Sequence, residues 1–92
     1  MKKIVDLTEI EEAVLKAMHS REIYGKNHKK VETIMHSGFP SHLYKEVKKA
    51  ILSLIKKRYI LWYDKSSNAI HLNKELSSEI AKIVKGGQNG RI

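Results

Sequence analysis

The sequence predicts a mainly helical α+β domain: a core of three helices, one β-hairpin, and a fourth, C-terminal helix. Three observations carry this. Apolar residues recur at helical spacing in four stretches, each with a capping residue in front of it. The run Tyr59-Ile60-Leu61-Trp62-Tyr63 has strand composition, and turn chemistry separates it from a second alternating run. Ser37-Gly38-Phe39-Pro40 stops one helix and starts the next, because glycine takes the left-handed conformation and proline cannot continue a helix.

Taken in order, Thr8-Glu9-Ile10-Glu11 spells a capping box. The Thr8 hydroxyl takes the amide of Glu11, and the Glu11 carboxylate reaches back. Ile10, Ala13, Val14, Ala17 and Met18 then line a helix over residues 9–19. Arg21-Glu22-Ile23-Tyr24, closed by Gly25, reads as a brief strand or a loop, with the strand preferred. Asn27 is a suitable cap for a second helix over 28–37, with Val31, Ile34 and Met35 inward. Ser41 caps a third helix over 42–57. Its inward stripe is Leu43, Val47, Ala50, Ile51, Leu54 and Ile55, and its other side is rich in lysine. Asp64-Lys65-Ser66-Ser67-Asn68 turns the first strand into a second, Ala69-Ile70-His71-Leu72. Asn73 caps a fourth helix over 74–85, which Gly86-Gly87 ends. The expected organisation is one domain, residues 1–85, and a flexible tail, residues 86–92.

Charge narrows the partner. The chain carries 18 basic and 10 acidic side chains, a net +8. Residues 1–20 hold three basic and four acidic groups, residues 21–65 eleven and four, and residues 66–92 four and two. A basic middle between near-neutral ends points to one face that attracts a polyanion. Cysteine is absent, which excludes a disulfide scaffold and thiolate metal sites. No apolar run approaches the roughly 20 residues that span a bilayer, and Met1-Lys2-Lys3 is not followed by the apolar stretch of a signal peptide.

The order helix, short strand, helix, turn, helix, hairpin, helix resembles the winged helix-turn-helix family over residues 7–85. Ile51-x-x-Leu54-x-x-x-Arg58-Tyr59-Ile60 resembles that family's passage from the recognition helix into the wing. The family often has glycine where Arg58 stands. The resemblance implies double-stranded DNA as partner, with the third helix in the major groove and the hairpin on the backbone or minor groove. Ser41, His42, Tyr44 and Lys45 then become base-contacting candidates, with Lys48 and Lys49 one turn further along, nearer phosphate. Lys29 and Lys30 are placed at the start of the second helix, where free amides also favour an anion. Lys65 and Ser66, with Ser67 and Asn68, form a hairpin tip able to donate to phosphate. Trp62 and Tyr63 are expected to pack on the sheet.

The five histidines lack metal-ligand spacing, Gly86-Gly87 lacks the lysine and hydroxyl of a phosphate loop, and Asp64, Ser66 and His71 sit on an exposed hairpin without a dry pocket. Neither an enzyme nor a cofactor is expected. The expected setting is a small transcription regulator in the cytoplasm, associated with the nucleoid, and a homodimer through the fourth and first helices. Two other classes fit the same residues: a protein–protein adaptor in transcription or replication machinery, and a binder of structured RNA.

Overall fold

The computed structural model describes residues 7–89, with side chains described for residues 7–85. Four α-helices and a three-stranded antiparallel sheet make an α+β domain in the order α1 (Glu9–Ser20), β1 (Lys29–Lys30), α2 (Val31–Met35), α3 (Tyr44–Lys56), β2 (Ile60–Asp64), β3 (Ala69–Leu72) and α4 (Ser77–Asn89). The sheet order is β1-β3-β2, so β3 is central and the two other strands are edges.

Helix α1 starts as its local sequence requires. The Glu11 amide donates to the Thr8 hydroxyl at 3.1 Å, and the Thr8 amide donates to the Glu11 carboxylate at 2.8 Å. The inward face differs from the expected one: Val14, Leu15 and Met18 are fully buried, whereas Ala13 is exposed. Helix α1 packs against both α3 and α4, and two partners require a wider stripe than one. Glu11 lies within that stripe. It is 3 % exposed, and the Lys57 ammonium sits 3.2 Å from its carboxylate. Burial alone would raise the Glu11 pKa; hydrogen bonds from the Ser53 hydroxyl and the Thr8 amide, with the Lys57 ammonium, outweigh it and hold the carboxyl below its ordinary value.

The strand expected at residues 21–24 reduces to a single bridge, Tyr24 to Leu72, in which the Leu72 amide donates to the Ile23 carbonyl at 2.8 Å. The first true strand lies later. Lys29 pairs with Ile70 and Lys30 with Ala69. The second helix is therefore only Val31–Met35, not 28–37. Asn27 does not cap it; the Asn27 amide group donates to the Arg21 and Glu22 carbonyls and closes the turn after α1. Gly38 takes the left-handed conformation, φ +100°, but in the turn two residues past His36, the C-cap of α2, so the helix ends before the glycine.

Ser41 is not the cap of the third helix either. Ser41–Leu43 form one 3-10 turn, with no capping hydrogen bond from a side chain, and α3 proper begins at Tyr44. Val47, Ala50, Ile51 and Leu54 of α3 are buried, with Leu43 and Ile55 half-buried at the core edge. Asn73 caps a 3-10 turn, Lys74–Leu76, that leads into α4. Helix α4 continues to Asn89, past the pair Gly86-Gly87. Glycine lowers helix stability by about 1 kcal/mol each relative to alanine, but unlike proline it keeps its amide donor. Residues 90–92 of the expected tail lie outside the described residues.

Helices α1 and α3 end alike. Glu22 and Arg58 have φ +54° and +71°, and each helix closes with a pair of bonds: Glu22 amide to His19 and Ile23 amide to Met18, Arg58 amide to Ile55 and Tyr59 amide to Leu54. Non-glycine residues thus occupy both left-handed positions. The Asn73 side chain steadies the second by donating to the Arg58 carbonyl at 2.8 Å. Glu22→Gly and Arg58→Gly are each expected to stabilise the fold by about 0.5–1 kcal/mol, or a few degrees in thermal midpoint. Calorimetry of the two variants checks this; an unchanged or lower midpoint in both means the left-handed turns carry no strain to relieve.

Candidate nucleic-acid interface

A helix advances 100° per residue, so positions 45, 52 and 56 of α3 fall within a narrow line, with 48 and 49 on either side. The occupants are Lys45, Leu52, Lys56, Lys48 and Lys49, and all five are exposed. The opposite side of the same helix is the buried stripe of Val47, Ala50, Ile51 and Leu54. The lysine tips therefore face solvent together because their aliphatic neighbours are held in the core. Among the described residues, Lys45, Lys48, Lys49 and Lys56 enter no ion pair; the bridge from Lys57 goes to Glu11 on the inner side of the helix. Glu46 is the acid on α3, and it is exposed too.

The expected site residues divide. His42, Lys45, Lys48 and Lys49 are exposed on one turn and helix, and Ser41 is exposed just before them. Tyr44 is half-buried, and its ring stacks on His36 with centroids 4.8 Å apart and planes 11° apart. That stack ties α2 to the start of α3, so Tyr44 serves the join between the helices. Lys30 is the N-cap residue of α2, without a side-chain cap, and Lys29 precedes it, so both stand at that helix start as expected. Both are exposed and also form edge strand β1, and the Val31 amide, the first of the helix, already donates to the Asn68 carbonyl at 2.9 Å. Lysines on an edge strand also discourage pairing with another chain.

At the hairpin tip Lys65 is exposed, but Ser66 is engaged. Its hydroxyl donates to the Asp64 carboxylate at 2.9 Å, and the Ser67 hydroxyl does so at 3.0 Å. Those two hydrogen bonds, from Ser66 and then Ser67, hold the Asp64 carboxyl below its ordinary value. The tip therefore sets a firmly ionised carboxylate beside Lys65, and Ser66 is no ready donor to phosphate. His71 has other partners: its Nδ1 lies 3.2 Å from the Gly25 amide and 2.8 Å from the Leu72 carbonyl.

Trp62 and Tyr63 separate by strand parity. Trp62 pairs with Ile70 and packs on the core edge. Tyr63, 53 % exposed, faces outward and stacks on His28 with centroids 3.7 Å apart. Between α2, α3 and the hairpin lies a cleft of 190 Å³ whose walls include Glu32, Met35, Lys48, Leu52 and Trp62. Sequence reasoning sets Lys56 outside the apolar stripe without naming it as a contact, and it misses Leu52 as a member of the solvent face. The signal was present in the spacing: Lys45, Leu52 and Lys56 are seven and four residues apart. Among the described residues no group of three or more histidine, aspartate or glutamate side chains is arranged to hold a metal ion, and no helix is long and apolar enough to cross a membrane.

No family model matches the chain, and no curated protein or solved structure matches it significantly.

Proposed function

We propose that this protein is a double-stranded DNA-binding domain of the winged-helix type, acting as a small transcription regulator. One observation carries the reading: Lys45, Lys48, Lys49 and Lys56 stand exposed on a single face of α3 while its other face is anchored in the core. The major groove is about 12 Å wide and admits a helix with its side chains. In this reading α3 enters the groove, and its lysines, flexible point charges, hold phosphates along both walls. His42 and Ser41, exposed on the turn before α3, approach base edges. The hairpin β2–β3 is the wing and brings Lys65 to the backbone, with Asp64 limiting how closely the tip approaches. The element order and the packing of α3 against hairpin strand β2 support the winged-helix assignment.

The test is binding to duplex DNA across a salt series. With about five phosphates covered, log K should fall against log salt with a slope near −4.5. An absence of duplex binding at low salt overturns the reading and favours a protein partner. Preference for duplex RNA also overturns it, because the A-form major groove is too narrow for α3.

A further inference from the structure

Of the large apolar side chains among the described residues, two are exposed: Tyr63 and Leu52. Tyr63 has His28 stacked over it. Leu52 is 48 % exposed and stands in the middle of the lysine face, seven residues after Lys45 and four before Lys56. An isolated surface leucine is ordinary; one at the centre of a cationic contact face is not. When the lysines beside it close on phosphates, Leu52 is carried into the groove between them. It cannot donate or accept a hydrogen bond, so a polar base edge opposite it would lose water without compensation. In the major groove one exposed base substituent is apolar, the C5-methyl group of thymine.

We propose that Leu52 is a specificity-determining residue that reads thymine through its C5-methyl group. The inference rests on the duplex-DNA reading above and deepens it: the lysines supply attraction without sequence preference, and Leu52 supplies selection. Position along the helix agrees. At 1.5 Å per residue Leu52 lies about 10 Å beyond Lys45, so both fit within the part of α3 that one groove can cover. The neighbouring cleft wall formed by Trp62 and Met35 gives the leucine an apolar flank, so a methyl group placed on it is enclosed from more than one side.

The experiment uses two duplexes of equal length and charge, one of alternating adenine and thymine, the other of alternating adenine and deoxyuridine. They differ in the C5-methyl group. Burial of one methyl predicts about fourfold tighter binding to the thymine duplex. Leu52→Ala should bring the thymine duplex down to the affinity of the deoxyuridine duplex and leave the salt slope unchanged. Leu52→Met, still apolar, should keep most of the preference. Circular dichroism confirms that both variants are folded. Equal binding of both duplexes by the unaltered protein overturns the methyl reading while leaving duplex binding intact. A preference that survives Leu52→Ala overturns it too, by assigning the methyl contact elsewhere. Loss of binding to both duplexes in a folded Leu52→Ala variant gives Leu52 a different role and also rejects the proposal. If the unaltered protein binds neither duplex, the DNA reading and this inference fall together.

Discussion

Replacing Lys45, Lys48 and Lys49 together by glutamine is expected to weaken duplex binding on the order of 10²–10³-fold near 0.1 M salt and to reduce the salt slope by about 2.7. Each lysine at a phosphate releases about 0.9 of a counterion, and at that salt concentration each release is worth nearly tenfold in affinity. Glutamine keeps helix propensity close to that of lysine, and all three positions are exposed, so the fold should be unaffected. Titration at several salt concentrations separates the outcomes. A loss of affinity at unchanged slope would mean these side chains are not at phosphates. Lys29 and Lys30, at the sheet edge, are the internal comparison: their replacement should change affinity and slope much less.

The second large effect is on stability. Glu11→Ala is expected to cost about 2–3 kcal/mol, because it removes the capping-box acceptor of the Thr8 amide and the partner of Lys57 in one step. For a domain of 92 residues, whose whole stability is roughly 5–14 kcal/mol, that is a substantial share. Lys57→Met should cost less, about 1–2 kcal/mol, because Lys57 is 36 % exposed and water already screens the pair. The same carboxylate sets an acid limit. The Glu11 pKa is lowered from 4.5 by folding, so its contribution is complete above about that pH and is lost as pH falls through the lower, folded value. Urea midpoints at neutral and acid pH check both statements. The gap between the unaltered protein and Glu11→Ala should shrink in acid; a constant gap would show that Glu11 acts by packing rather than by charge.

Legibility followed distance along the chain. The capping box at Thr8 and Glu11 was readable because both partners lie within one helical turn. The hairpin was readable because its strands and turn are contiguous, and the lysine face because α3 is periodic. The engagement of Ser66 at the hairpin tip is not part of the sequence reading although its partner, Asp64, is two residues away; an Asx-type turn is the available signal. By contrast, Lys29 and Lys30 carry no strand signal of their own. Their strand exists because Ala69 and Ile70 offer an edge some forty residues later, and that pairing shortens α2 and leaves Asn27 to close a turn. The Glu11–Lys57 pair, 46 residues apart, is invisible to any local pattern.

Sequence alone therefore determined the number and order of the helices, the hairpin, and the side of α3 that carries its charge, since these depend on periodicity and caps within a few residues. Tertiary structure decided where α2 begins, which acid is buried, how the tip serines spend their hydrogen bonds, and that Leu52 stands among outward lysines beside a cleft. Those outcomes arise from contacts that close only when distant segments meet, and a buried amide or carboxylate takes whichever partner the packed chain brings within reach.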